Sequence, residues 1–149
     1  MKNEILRITE DEFEEIKSKI DIDKTFLAEI DGSAIWDEKS FFDYMERLYD
    51  LHTLNGNWGR NWSAFDDLMT DLDWIDCDKH IIAIHSYDLM FSDEPEAKTI
   101  LMKYLKDSIL PFWEEDVLNI VVGGKRKEFT VYLIYCQSSA YLRTTYHSI

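Results

Sequence analysis

Between Asn57 and Trp74 the chain sets carboxylates and hydroxyls at the three- and four-residue spacing that lines side chains up along a helix. Asn61 is suited to cap such a helix, because its side-chain oxygen can accept a first-turn backbone N–H, and the helix is expected to run to about Leu72. Trp62, Phe65, Leu68, Met69 and Leu72 then share one side, and Ser63, Asp66, Asp67, Thr70 and Asp71 share the other. A fixed row of carboxylates binds cationic side chains through charge-assisted hydrogen bonds. Folding alone does not ask for it. Asp67 and Asp71 form a like-charge pair at i,i+4, which costs a helix roughly 0.2–0.5 kcal/mol, and Asp71 near the C-terminus also opposes the macrodipole. By spacing alone, an ordinary solvated helix face accounts for the pattern as well.

Other chemistries find less support. There is no Gly-x-Ser-x-Gly elbow and no phosphate-cradling glycine loop, and Gly123-Gly124 reads as a turn. His80 and His85 differ by an odd number along one expected strand, so they point to opposite faces, while His52 and His147 lie in unrelated segments. Each is assigned a structural role. Asp71, Asp73, Asp76 and Asp78 offer clustered oxygens for a hard cation, but a calcium loop would place Ile75 at its fifth position and lacks the required glycine. No catalytic residue, metal or other cofactor is implied.

Charge narrows the classes of partner. The 30 acidic side chains outweigh 16 basic ones to give a formal net charge of −14, which speeds encounter with a basic partner and repels nucleic acid and anionic membrane. Its concentration matters more than its sum. From Ser63 to Lys79 there are six aspartates, Asp66, Asp67, Asp71, Asp73, Asp76 and Asp78, opposed only by Lys79. With 149 residues, 46% hydrophobic and 14% aromatic, the chain fits a single domain with an ordinary core. The first seven residues lack the apolar stretch of a signal peptide and no run approaches membrane-spanning length, so a cytoplasmic location is expected. Cys77 and Cys136, 59 positions apart and without Cys-x-x-Cys spacing, are expected to be reduced thiols. No pattern sets an oligomeric state.

The elements that must position the acidic row follow from periodicity. Thr9, followed three residues later by Glu12, reads as a capping box ahead of Phe13, Ile16 and Ile20, giving a helical extension over residues 1–24. Residues 26–30 read as a strand closed by the Asp31-Gly32 turn, and Phe41, Phe42, Met45, Leu48 and Tyr49 trace the apolar side of a helix ended by residues 54–57. After the acidic helix, residues 80–85 form the continuous apolar run of a buried strand. Pro95 suits a first helical turn, and the helix continues until Pro111 interrupts it. Residues 129–135 are the last core strand. Residues 117–122 read equally as an added strand, pairing antiparallel with the last one across Lys125, Arg126 and Lys127, or as part of the connection. Alternating strands and helices predict an α/β sandwich with a small, mainly parallel sheet.

Trp58, Gly59, Arg60, Asn61, Trp62, Ala64, Phe65, Asp66, Asp67, Thr70, Asp71, Leu72 and Trp74, at their spacing here, resemble the signature of the barstar family of ribonuclease inhibitors. The likeness is strongest over residues 57–74 and extends over about 25–136, leaving extensions at 1–24 and 137–149. The resemblance implies an inhibitor whose carboxylates occupy the phosphate positions of a basic ribonuclease cleft, as an antitoxin or immunity protein. It implies no enzymatic activity and no direct binding of nucleic acid or membrane. An immunity protein for a toxin other than a ribonuclease, on the same scaffold, is the alternative.

Transferred by position, the resemblance makes Asp67 the dominant inhibitory aspartate and Gly59 part of the contact loop. Trp58 stands for a tyrosine of the founding member and is expected to be a contact anchor, whereas Trp62 and Trp74 are expected in the core. Asp71, Asp66 and Thr70 extend the acidic face and Asn61 positions the helix. Asn57, Ser63 and Asp66 depart from the founding member, where a tyrosine, a second key aspartate and a tryptophan would stand, and so point to a target other than barnase.

Overall fold

Three of the four apolar runs that become strands are continuous enough to be buried on both faces, the pattern a parallel sheet requires. The computed structural model describes residues 2–51 and 58–136. Its strands are β1 (Glu4–Ile8), β2 (Thr25–Asp31), β3 (Lys79–His85) and β4 (Glu128–Ile134), arranged β1-β4-β3-β2 with every pair parallel. Parallel neighbours need crossovers, and helices supply them. These are α1 (Glu10–Ser18), α2 (Glu38–Leu48), α3 (Trp62–Met69), α4 (Pro95–Tyr104) and α5 (Val117–Ile120). None of the helices among the described residues is long and apolar enough to cross a membrane.

The two sheet faces are covered unequally. On one, Ala28, Ile30, Ile82, Ile84, Phe129, Val131 and Leu133 meet the buried faces of α2, α3 and α4, including Phe41, Phe65 and Leu101. On the other, the fully buried Phe13 of α1 sits on Ala83 and Ile134. The histidines of β3 divide between these faces as their odd spacing requires. His80 is buried between the rings of Phe26 and Phe129, with Nε2 2.7 Å from the Tyr49 hydroxyl. Burial depresses its pKa to about 3, so it stays neutral.

Several expectations change here. The N-terminal extension is not helical throughout: the capping box at Thr9 and Glu12 forms, but β1 precedes it as an edge strand of the sheet. Residues 117–120 are helical, not an antiparallel strand, and the sheet is parallel throughout. The reason is topological, because β1 and β3 occupy both edges of β4 and leave it none to offer a hairpin. Pro111 does not end its helix. The helical run continues from Pro95 to Ile120, and the π-helical segments Leu105–Ile109 and Phe112–Asp116 bracket the proline. A wider π turn tolerates the missing N–H and the ring that would break a regular α-helix. The segment 54–57 and the tail 137–149 lie outside the described residues.

α1 is fastened by charge as well as by Phe13. His85 Nδ1 lies 3.0 Å from Glu10 Oε2 and its Nε2 2.9 Å from Glu29 Oε1, while Lys17 reaches the other Glu29 oxygen at 2.9 Å. Both ring nitrogens face carboxylates, so the imidazolium satisfies both and the neutral ring only one. Burial pulls the His85 pKa down, but the bonds to Glu10 and Glu29 outweigh it and hold it above 6.5. A raised folded pKa gives a stabilisation complete below 6.5 and lost as pH rises through the raised value. Glu29 has the opposite sign: burial raises its pKa, but Lys17 and His85 keep it below 4.5, so its share disappears only as pH falls through that depressed value. The thermal destabilisation caused by His85→Gln is therefore expected to be greatest between pH 4.5 and 6.5 and to shrink steadily at higher pH.

Candidate functional site

The approach to α3 is built from backbone that few residues tolerate. Gly59 has φ +92° and Arg60 φ 50°, two successive left-handed residues that turn the chain sharply into the helix. A Cβ on Gly59 would also come within 3.0 Å of the Ala64 Cβ. Asn61 then caps α3, its Oδ1 accepting the Ala64 N–H at 2.8 Å while its amide donates to the Gly59 carbonyl at 3.3 Å.

Carboxylates of α2 hold this turn from below. Glu46 Oε1 accepts both the Trp58 indole N–H at 3.0 Å and an Arg60 guanidinium N–H at 2.8 Å, and Asp43 takes the other arm of Arg60. Glu38 Oε2 accepts the Trp62 indole N–H at 2.6 Å. The Trp62 ring lies stacked on Phe41 and Tyr104, so the first turn of α3 is fixed by packing and by hydrogen bonding together. Trp58 is only 8% exposed and meets Phe42 edge-on. The structure thus places it within the core, where it shapes the turn from inside, and not at the surface as a contact anchor would be.

The other end of the helix is equally tied. α3 stops at Met69, three residues short of the expected Leu72, because Thr70 closes it and Leu72 adopts φ 50° with its side chain buried. The Trp113 indole donates to the Met69 carbonyl at 2.7 Å, and the Trp74 indole donates to the Tyr49 carbonyl at 3.2 Å. Trp62 and Trp74 pack against the core, as expected for them.

The five polar positions of the acidic row separate into two sets. Ser63, Asp67 and Asp71 are exposed. Asp66 and Thr70 are half-buried: Asp66 Oδ1 accepts the Ser108 hydroxyl at 2.6 Å, and the Thr70 hydroxyl donates to the Asp66 carbonyl at 2.8 Å. Asp66 therefore joins α3 to the π-helical segment that follows α4. The Asp67 carboxylate makes no hydrogen bond or ion pair among the described residues. Partial burial and the neighbouring Asp73 push the Asp71 pKa upward, so its charge costs something to hold and a cation arriving there relieves it. Asn57 lies outside the described residues. No group of three or more His, Cys, Asp or Glu among the described residues is arranged to hold a metal, and Cys77 and Cys136 are free thiols.

Sequence reasoning missed Glu38, Asp43, Glu46, Ser108 and Trp113. Their partners lie between 12 and 44 positions away, where no local spacing rule connects them. Two substitutions separate the site's supports from its surface. Asn61→Ala, which removes the cap, is expected to destabilise the free protein by about 1 kcal/mol, while Asp67→Ala should change it by less than about 0.5 kcal/mol. Denaturant unfolding of both variants measures the difference.

Comparison with known proteins agrees with this arrangement. A family model described as Barstar (barnase inhibitor) matches residues 25–133, which takes in β2, β3, α2 to α5 and all but the last residue of β4 and leaves out β1 and α1. No curated protein and no solved structure matches the chain. The match covers most of the 149 residues and includes the whole of the braced turn and α3, and on it the chain belongs to the barstar family of barnase-inhibitor-like proteins.

Proposed function

We propose that the protein is an intracellular inhibitor of a basic ribonuclease, acting as an antitoxin or immunity protein through the outer face of α3. The observation that carries this reading is Asp67. Its carboxylate is exposed and without a partner among the described residues, yet it stands on a helix held at both ends by indole, amide and carboxylate contacts. A ribonuclease cleft presents Arg, Lys and His to phosphate, and a preorganised carboxylate meets those groups with little ordering left to do on binding. The chain's net charge of −14 steers a cationic partner towards it. Asp71 and Ser63 extend the contact, Gly59 lets the turn approach closely, and Asp66 and Thr70 work from behind by fixing the helix.

The inward turn of Asp66, bound to Ser108, favours a target other than barnase. Together with the hydroxyl at Ser63, it reduces the carboxylates facing outward on α3 to Asp67, with Asp71 just beyond the helix end. The same face can serve against a non-ribonuclease toxin, and that alternative separates from the first by the activity of what is bound.

Wild type and Asp67→Ala, used in parallel to capture partners from cells of origin, provide the test. Wild type is expected to retain a basic protein whose RNA cleavage it abolishes. Asp67→Ala should bind that protein at least thirtyfold more weakly, about 2 kcal/mol, as for a central charged hot spot. The founding pair of this family is itself a reference case for a charged hot spot, and about 2 kcal/mol is the lower bound of the general hot-spot range. A well-folded Asp67→Ala with undiminished inhibition would remove Asp67 from the site, and a retained partner without ribonuclease activity would favour the alternative.

A further inference from the structure

Lysine is almost never buried without a carboxylate partner, yet Lys127 is only 9% exposed and makes no ion pair among the described residues. Its ammonium instead donates to two backbone carbonyls, Ile75 at 3.2 Å and Cys77 at 2.6 Å, and sits 5.3 Å from the centre of the Trp113 ring. Neither carbonyl belongs to a helix or strand, so neither has a backbone ladder to satisfy it. Trp113 is the residue whose indole holds the Met69 carbonyl at the end of α3, and its own carbonyl accepts the Lys127 backbone N–H at 3.1 Å. Lys127 and Trp113 thus grip both the end of α3 and the chain that leaves it.

We propose that Lys127 is a positioning residue for the acidic face: with Trp113 it forms one brace that fixes Thr70, Asp71 and the end of the helix carrying Asp67. The inference rests on α3 being the contact surface, but the brace itself is a property of the free chain. Lys127 acts from within the fold and not from the contact surface. It supplies donors to the Ile75 and Cys77 carbonyls, which have no ladder partner, and it places one positive charge near Asp76 and Asp78.

Hydrogen exchange on the free protein tests the brace without any ribonuclease. The amides of Thr70, Asp71, Leu72 and Ile75 are each bonded to a backbone carbonyl and so report local opening, while β3 and β4 amides report global stability. In Lys127→Met the first group is expected to exchange about tenfold faster while the sheet amides change much less, and Trp113→Phe, which keeps the ring but loses the indole donor, should show the same signature. The double variant should add little to either. Uniform acceleration of both groups, or unchanged exchange at Thr70 to Ile75, would overturn the proposal. With the ribonuclease captured by wild type as the probe, Lys127→Met should dissociate about tenfold faster. Failure to find a ribonuclease would count against the inhibitory reading and leave the exchange result to decide the brace.

Discussion

An eight-residue helix cannot hold its own shape in water, and α3 is asked to hold one while presenting Asp67 on its outer side. Its nucleation cost is not recovered from internal hydrogen bonds, so its order must come from what surrounds it. The molecule supplies that order from three directions. Glu38 and Glu46 of α2 fix the indoles before and within the first turn, Ser108 holds Asp66 along one flank, and Trp113 holds the Met69 carbonyl at the end. Phe65 and Met69 contribute burial beneath, so that the outer face is left with no structural task.

Electrostatics follows from the same division. The carboxylates of α2 nearest the turn hold Trp58, Trp62 and Arg60 in place, and the Arg60 guanidinium offsets part of their charge. Asp66 is occupied by a hydroxyl. What remains outward is a small number of carboxylates whose positions are set by groups they do not touch. Pairing exposed charges is worth little in water, but a carboxylate carried on an already ordered helix loses only side-chain entropy when a partner's guanidinium arrives and excludes solvent. The rigidity of the support and the emptiness of Asp67 are therefore two aspects of one arrangement.

Local signals in the sequence were legible to the extent that the contact was local. The capping box at Thr9 and Glu12, the cap at Asn61, the strands around residues 26–30, 80–85 and 129–135, and the opposite faces of His80 and His85 all depend on spacings of a few residues, and all are found. β1 was missed because five residues with Ile5, Leu6 and Ile8 in mixed order give neither period, and its strand state depends on β4 lying beside it, 126 positions along the chain. The helical state of residues 117–120 likewise came from the absence of a free edge on β4, not from their β-branched composition. Trp58 was read from the turn it occupies, whereas its burial is decided by Phe42 and Glu46 on another helix. In the acidic row the spacing placed all five side chains on one side, but Ser108 drew Asp66 inward.

In the proposed complex the turn at Gly59 and the outer side of α3 are covered by the active site of a ribonuclease. Hydrogen-exchange mapping of the chain alone and in complex with its captured ribonuclease measures that coverage directly. Slowed exchange is expected over residues 59–71, with the complex unable to take up a short oligonucleotide. Protection confined to α1 or to residues 118–122, with the acidic face exchanging as in the free chain, would contradict it.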